Sequence, residues 1–371
     1  MRKICLFALV LGMIVGIAPT LNAAVISGTE PKISGTAFDA TINGFINSAF
    51  TSAIASANTT LAKYDKQNDL ATGFANANIY SAHAGTLQGY QNYDLFAIST
   101  GVMLGAQAPS VDPSYYDKIG QELEKKGDLY AGLSAGISFV NVGINAKFIM
   151  DDLYLNFKFG KVSWKPVEEL DVNNTLIGIG ANYALIREHG MGWGFLKWRG
   201  LSLGTGLIYH KSEIVYDAKI DTQTQHFNTG DMGGGLYFQG DVVVDPTVAI
   251  GVTTYSYTIP VDVVTSVQLL WLLNLTLGAG VDFSYGKADI VLKSAGDVAV
   301  ENTDTNIPGA YTFLPGKVSI DGSTLGERPY FIRPKIMAGL GLNISVVKID
   351  LQVIYYTMSG AAVGLTAGIV W

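Results

Sequence analysis

The chain of 371 residues contains a single cysteine, Cys5, and it lies in an apolar stretch at the very start. Nothing beyond residue 24 can form a disulfide or act as a thiolate. Charge is scarce as well: Asp, Glu, Lys and Arg make up 15% of the residues, against about a quarter in soluble domains. Long apolar runs are nearly absent too. After the first residues the strongest candidate span is Val263 to Val281, 19 residues without a charge, whereas a helical membrane protein needs several spans of about 20. There is no His-Glu-x-x-His, no cysteine pair and no phosphate loop, and the four histidines are scattered. Metal hydrolysis, redox chemistry and nucleotide binding have no motif to rest on, and no cofactor is expected.

Glycine, by contrast, is plentiful: 43 residues, about 12% of the chain, against a usual share near 7%. It falls in a pattern. Between Ile336 and Trp371 three segments alternate in a row. In the first, Ile336, Ala338, Leu340, Leu342 and Ile344 alternate with Met337, Gly339, Gly341, Asn343 and Ser345. In the second, Ile349, Leu351, Val353 and Tyr355 alternate with Lys348, Asp350, Gln352 and Ile354. In the last, Val363, Leu365, Ala367, Ile369 and Trp371 alternate with small residues. A period of two sorts each set onto one face of a strand. One face is apolar; the other is small or polar and poor in charge, as an interior wall would be. A membrane β-barrel needs this arrangement, with lipid on the apolar face and a polar lumen inside.

The closing pattern, aromatic last and apolar at every second position before it (Val363, Leu365, Ile369, Trp371), resembles the assembly signal of bacterial outer-membrane β-barrels. The resemblance implies membrane lipid and a barrel-assembly machinery as partners, and the outer membrane of a diderm bacterium as location. Residues 1–24 fit this: Arg2 and Lys3, an apolar stretch Ile4–Ile17 and a small-residue exit read as a secretory signal. Without Arg2 and Lys3, 22 positive residues face 31 negative ones, a net charge of −9, which argues against nucleic acid as a partner.

Residues 37–63 do not alternate. Phe38, Ile42, Phe45, Ile46 and Phe50 recur at helical spacing and predict an amphipathic helix. Three roles are open to it: a plug or support of the barrel, a gate, or a partner-binding arm. A weaker helical or extended piece covers 70–82. Helical plugs before a barrel also occur in long-chain fatty-acid channels, and the layout is similar, although their Asn-Pro-Ala motif is absent here.

The expected organisation is therefore a signal (1–24), an N-terminal helical segment (25–92) and a transmembrane antiparallel β-barrel (93–371) of about twelve strands, with ten and fourteen open. Val263–Val281 is read as two strands joined at Leu269–Leu273, because Leu275, Leu277, Ala279, Val281 and Phe283 alternate strictly with polar or small residues. Residues 107–128, 211–230 and 289–328 are read as loops, the last as the main external one with a possible small hairpin. Pro166–Asn173 is read as a break, and Asp245-Pro246 as a divide between two strands.

Two Gly-x-Ser-x-Gly matches, around Ser134 and Ser202, lie within the alternation and are read as wall positions, not as hydrolase nucleophiles. Charges inside strands are costly toward lipid, roughly 2–4 kcal/mol for a lysine near the midplane, so they should point inward. Lys158, Asn182, Asp282, Lys335, Lys348 and Asp350 are the lumen-lining candidates, either as bracing ion pairs or as a constriction that selects solutes. The expected function is passive passage of small solutes without catalysis. Two alternatives stand beside it: a closed barrel binding partners through its loops, and uptake of hydrophobic compounds.

Overall fold

The computed structural model describes residues 25–62, 70–85, 95–108, 134–150, 152–191, 195–219 and 222–371. The signal read at 1–24 and most of the loop read at 107–128 lie outside them.

In chain order the elements are β1 (Val25–Thr29), β2 (Lys32–Ser34), α1 (Asp39–Ala62), α2 (Leu70–Ser81), β3 (Phe96–Gln107), β4 (Ser134–Met150), β5 (Leu153–Val167), β6 (Leu170–Ile186), β7 (His189–Met191) and β8 (Leu196–Lys219). They continue with β9 (Gln223–Asn228), β10 (Phe238–Leu269), β11 (Leu273–Thr305), β12 (Thr312–Leu314), β13 (Gly316–Glu327), β14 (Ile332–Ile344), β15 (Val347–Tyr356) and β16 (Gly360–Val370). Strands β11, β14, β15, β16, β3, β4, β5, β6, β8 and β10 pair in that order, and β10 pairs back onto β11. The ring is a closed antiparallel barrel of ten strands.

Ten is the lower edge of the expected range, and strand length is the reason. β10 and β11 run for 32 and 33 residues, far beyond the 9–11 that cross a bilayer. Segments read as loops are continuations of these strands. The stretch 211–230 is the end of β8 plus β9, which pairs with β10 from Gln239 to Val244. The stretch 289–328 is the end of β11 and β13, paired from Ala288–Glu327 to Val298–Gly316. The break at Pro166–Asn173 is only the turn Glu168-Glu169 between β5 and β6. Asp245-Pro246 does not divide β10. Pro246 faces Gly296 of β11, and on its other side lies the gap between the β9 and β8 ladders, where no N–H is needed.

β11 shows how one strand serves two environments. From Leu275 to Val281 its outer face is apolar, with Leu277 64% exposed. Tyr285 then lies beside Tyr257, and Tyr257 beside Tyr209, as a row of rings across three strands. Past that row the outer face turns to Lys287, Asp289, Lys293 and Asp297, while Ala288, Ile290 and Val298 are buried on the inner face. The polarity inverts at the tyrosines, as expected where a strand leaves lipid and enters water. At the opposite end Trp271 packs edge-on against Phe195, and Trp371 packs against Phe96. Two aromatic girdles thus bound an apolar band.

The extended part of the sheet forms a second core. α1 packs on β9, β10, β1 and β2, and Ile42, Ile46 and Phe50 are buried with Phe238, Val242, Ile290 and Val298. Thr36 and Asp39 cap the helix: Phe38 N–H donates to Thr36 Oγ1 and Thr36 N–H to Asp39 Oδ1. Asn43 and Asn58 give the strands extra partners, each bonding both the N–H and the C=O of one residue, Ile33 and Ile26 respectively. This core lies at the mouth opposite Trp371.

Candidate lumenal site

α1 is not the element inside the barrel. Phe38, Ile42, Ile46 and Phe50 face the extended sheet, and Phe45 is turned outward, 38% exposed. The lumen holds α2 instead, which touches β3, β4, β8, β10, β11 and β16. Its sequence explains why the piece at 70–82 reads as either helical or extended. Ala71, Phe74, Ala75, Ala77, Asn76, Asn78 and Ile79 are all buried, so a helix enclosed on every side shows no polar face.

Small wall residues make the room. A Cβ on Gly105 or Gly136 would collide with the Ala77 carbonyl, and one on Gly360 with the Tyr80 ring. Ser134 lies against Gly73 of the helix, and Ser202 Oγ donates to the Val264 carbonyl at 3.3 Å. Neither serine sits on the strand-to-helix turn a hydrolase nucleophile requires. Among the described residues no group of three or more metal-ligating side chains exists.

Polar contacts hold the helix. Asn78 Nδ2 donates to Ser256 Oγ at 3.1 Å, and its carbonyl lies 2.8 Å from His210 Nδ1. His210 is set by Asn174, 2.6 Å from Nε2. Ser138 Oγ donates to the Ser81 carbonyl. Lys158 Nζ donates to the carbonyls of Ala82 and Ala84 at 2.8 and 3.1 Å. Tyr80 stacks on Tyr356, ring centroids 4.0 Å apart, and its hydroxyl donates to Gln107. Arg333 donates to Asn76 Oδ1 at 2.8 Å and lies 5.6 Å from the centre of the Tyr80 ring.

Just past the helix, His83 Nε2 is 2.9 Å from Asp282 Oδ2. Lys335 Nζ reaches Asp282 at 2.7 Å and Asp262 at 2.9 Å, and the Tyr356 hydroxyl donates to Asp282 at 3.1 Å. The structure therefore gathers Lys158, Asp282 and Lys335 around the end of α2. Lys348 and Asp350 form a separate pair at 3.5 Å, and Asn182 lies against Gly204; all three are buried on the inner face. His83, Tyr80, Asn76 and Asn78 were missed by sequence reasoning. Arg333 shares the parity of Lys335 on β14 and was legible by the rule that found Lys335.

The molecule is a ten-stranded β-barrel filled by a short helix, with an apolar belt outside and an α/β core at one mouth. The chain belongs to the Lsa36-like family, whose model matches residues 20–371. No curated protein matches it. Among solved structures it is similar to the CymD monoaromatic hydrocarbon channel, at 10% identity and a TM-score of 0.24, covering 82% of this chain and 99% of that one. A FadL homologue of Pseudomonas aeruginosa matches at 9% identity and 0.25, covering 80% and 99%. The translocator domain of the autotransporter NalP from Neisseria meningitidis matches at 12% and 0.26, covering 75% and 88%. Likeness this low carries no functional information.

Proposed function

We propose that the protein is an outer-membrane channel of a diderm bacterium, closed by α2 in the state described and opened when the helix shifts. The observation that carries this is the way α2 is held. Its polar ties to the wall are hydrogen bonds, that of His83 to Asp282 among them, which water or a solute can replace, beside the buried rings of Phe74 and Tyr80. Each such bond contributes only about 0.5–1.5 kcal/mol net, so a few can be exchanged without unfolding the ring. The exported chain would enter the membrane through the barrel-assembly machinery, and lipid would cover the belt from Trp271 to Tyr285. Single-channel recording on the refolded full chain tests the reading. Brief openings are expected, and long-lived ones after Gly136→Val. Silence of both proteins in a membrane they demonstrably enter would sink it.

A second reading rests on the core formed by α1, β1, β9 and β13 at the mouth of the long connections. In barrels of this class the long connections lie outside the cell, so this core would be displayed there and could bind a partner surface. Adsorption of displaying cells that survives Phe45→Asp would count against it.

A further inference from the structure

We propose that the lumen selects small anions, carboxylates above all, and that the end of α2 occupies the place of such an anion; this rests on the channel reading above. Around the C-terminal half of α2 the wall carries Lys158, Arg333 and Lys335 against Asp262 and Asp282, one positive charge in excess, while Glu327 lies at the other end of the helix, 3.5 Å from Thr72 Oγ1. Lys335 is neutralised by the two carboxylates. Among the described residues neither Lys158 nor Arg333 has a carboxylate within ion-pair distance. They stand on β5 and β14, five strands apart in a ring of ten, and so face each other across the helix.

What these two cations touch belongs to the helical segment. Lys158 meets the carbonyls of Ala82 and Ala84. Arg333 meets the Asn76 amide oxygen and the Tyr80 ring, and among the described residues its Nε and Nη2 have no hydrogen-bond partner although the side chain is fully buried. A buried cation without a counter-charge is costly. The Ala82 and Ala84 carbonyls, in the turn just past α2, carry partial negative charge as backbone oxygens and offset part of that cost for Lys158. For Arg333 the offset is incomplete.

Displacing the helix changes the two signs of charge unequally. Lys158 and Arg333 lose every contact named here. Asp282 loses His83 but keeps Lys335 and Tyr356. The surface presented to a solute is therefore cationic, and the planar guanidinium of Arg333 suits a carboxylate held by two parallel bonds. An entering anion takes over the donors that hold the helix, so entry and helix displacement are one exchange.

Zero-current potentials across a bilayer holding the full chain, under a potassium chloride gradient, test this. During openings chloride should be preferred over potassium, and acetate in place of chloride should still carry current. The preference should fall toward none in K158Q and in R333Q, and reverse in K158E. If R333Q does not fold, K158Q and K158E carry the same test. Openings without anion preference, or a preference unchanged in K158Q, overturn the inference and leave the channel standing. No openings in either the full chain or Gly136→Val would remove both.

Discussion

His83, two residues past the end of α2, sits 2.9 Å from Asp282 on the barrel wall. Asp282 is at the same time the main partner of Lys335. Helix and wall thus share one carboxylate, and the two sides of that sharing are not equal in weight.

Replacing Lys335 with Ala leaves Asp282 and Asp262 facing each other without their common cation. Removing one partner of a buried pair costs about 3–5 kcal/mol, so the denaturation midpoint of the whole barrel should fall. His83→Ala leaves Asp282 with Lys335 and Tyr356. Its midpoint should stay near that of the parent, while channel openings become more frequent. Equal loss of stability in both variants would contradict this division.

The glycine seats give a steric prediction. Gly136→Val and Gly360→Val place carbon where Ala77 and Tyr80 now lie, so the helix should be pushed off its seat in a ring that still closes. Gly251→Ala meets only one carbonyl at ordinary contact distance, 3.7 Å, and should be silent. Heat-modifiable mobility reports the ring, and protease cleavage between residues 70 and 85 reports the helix.

At the far mouth Ile46 is fully buried against the extended sheet. Ile46→Ala should cost about 2–5 kcal/mol locally and expose α1 to limited proteolysis. The ring, which α1 does not enter, should keep its mobility.

The helix cap predicts a pH effect. Hydrogen bonds from Thr36 hold the Asp39 carboxyl below its ordinary range. A carboxylate held low contributes fully above that range, and its contribution fades as pH falls through the lowered value. Protease sensitivity of α1 should therefore rise on acidification, and Asp39→Asn should remove the pH dependence while raising sensitivity at neutral pH.

The barrel was legible in the sequence because the period of two is strict where lipid demands it: Leu275 to Phe283, Ile336 to Ile344 and Val363 to Trp371 stand as read. The hairpin within Val263–Val281 turns at Leu270–Leu272, with Leu270 and Trp271 in the left-handed region, as the alternation required. The ribbon beyond the membrane was misread for a physical reason. Past Tyr285 the alternation persists with its sign reversed, charges outward and Ile290 and Val298 inward, and a search for apolar outer faces takes that as a loop. The lumenal helix hid differently. α1 carries the visible stripe because one side of it meets water, whereas α2 meets protein all round. Lys158, Asp282 and Lys335 were singled out by their inward parity alone; nothing local indicates that Lys158 meets a helix carbonyl rather than a solute.

The seam between β3 and β16 has a topological consequence. β1 and α1 stand at one mouth, β3 begins at the other, and the chain between them passes through the ring that this seam completes. The α/β core at the first mouth is therefore reached either by sealing the seam around the threaded chain or by passing residues 25–62 through the ring before they fold. After sealing, the strand-bound segments at either mouth act as stoppers on a threaded cord. α2 is tethered from both sides and cannot be lost to one of them, so the displacement that the channel reading calls for would be reversible.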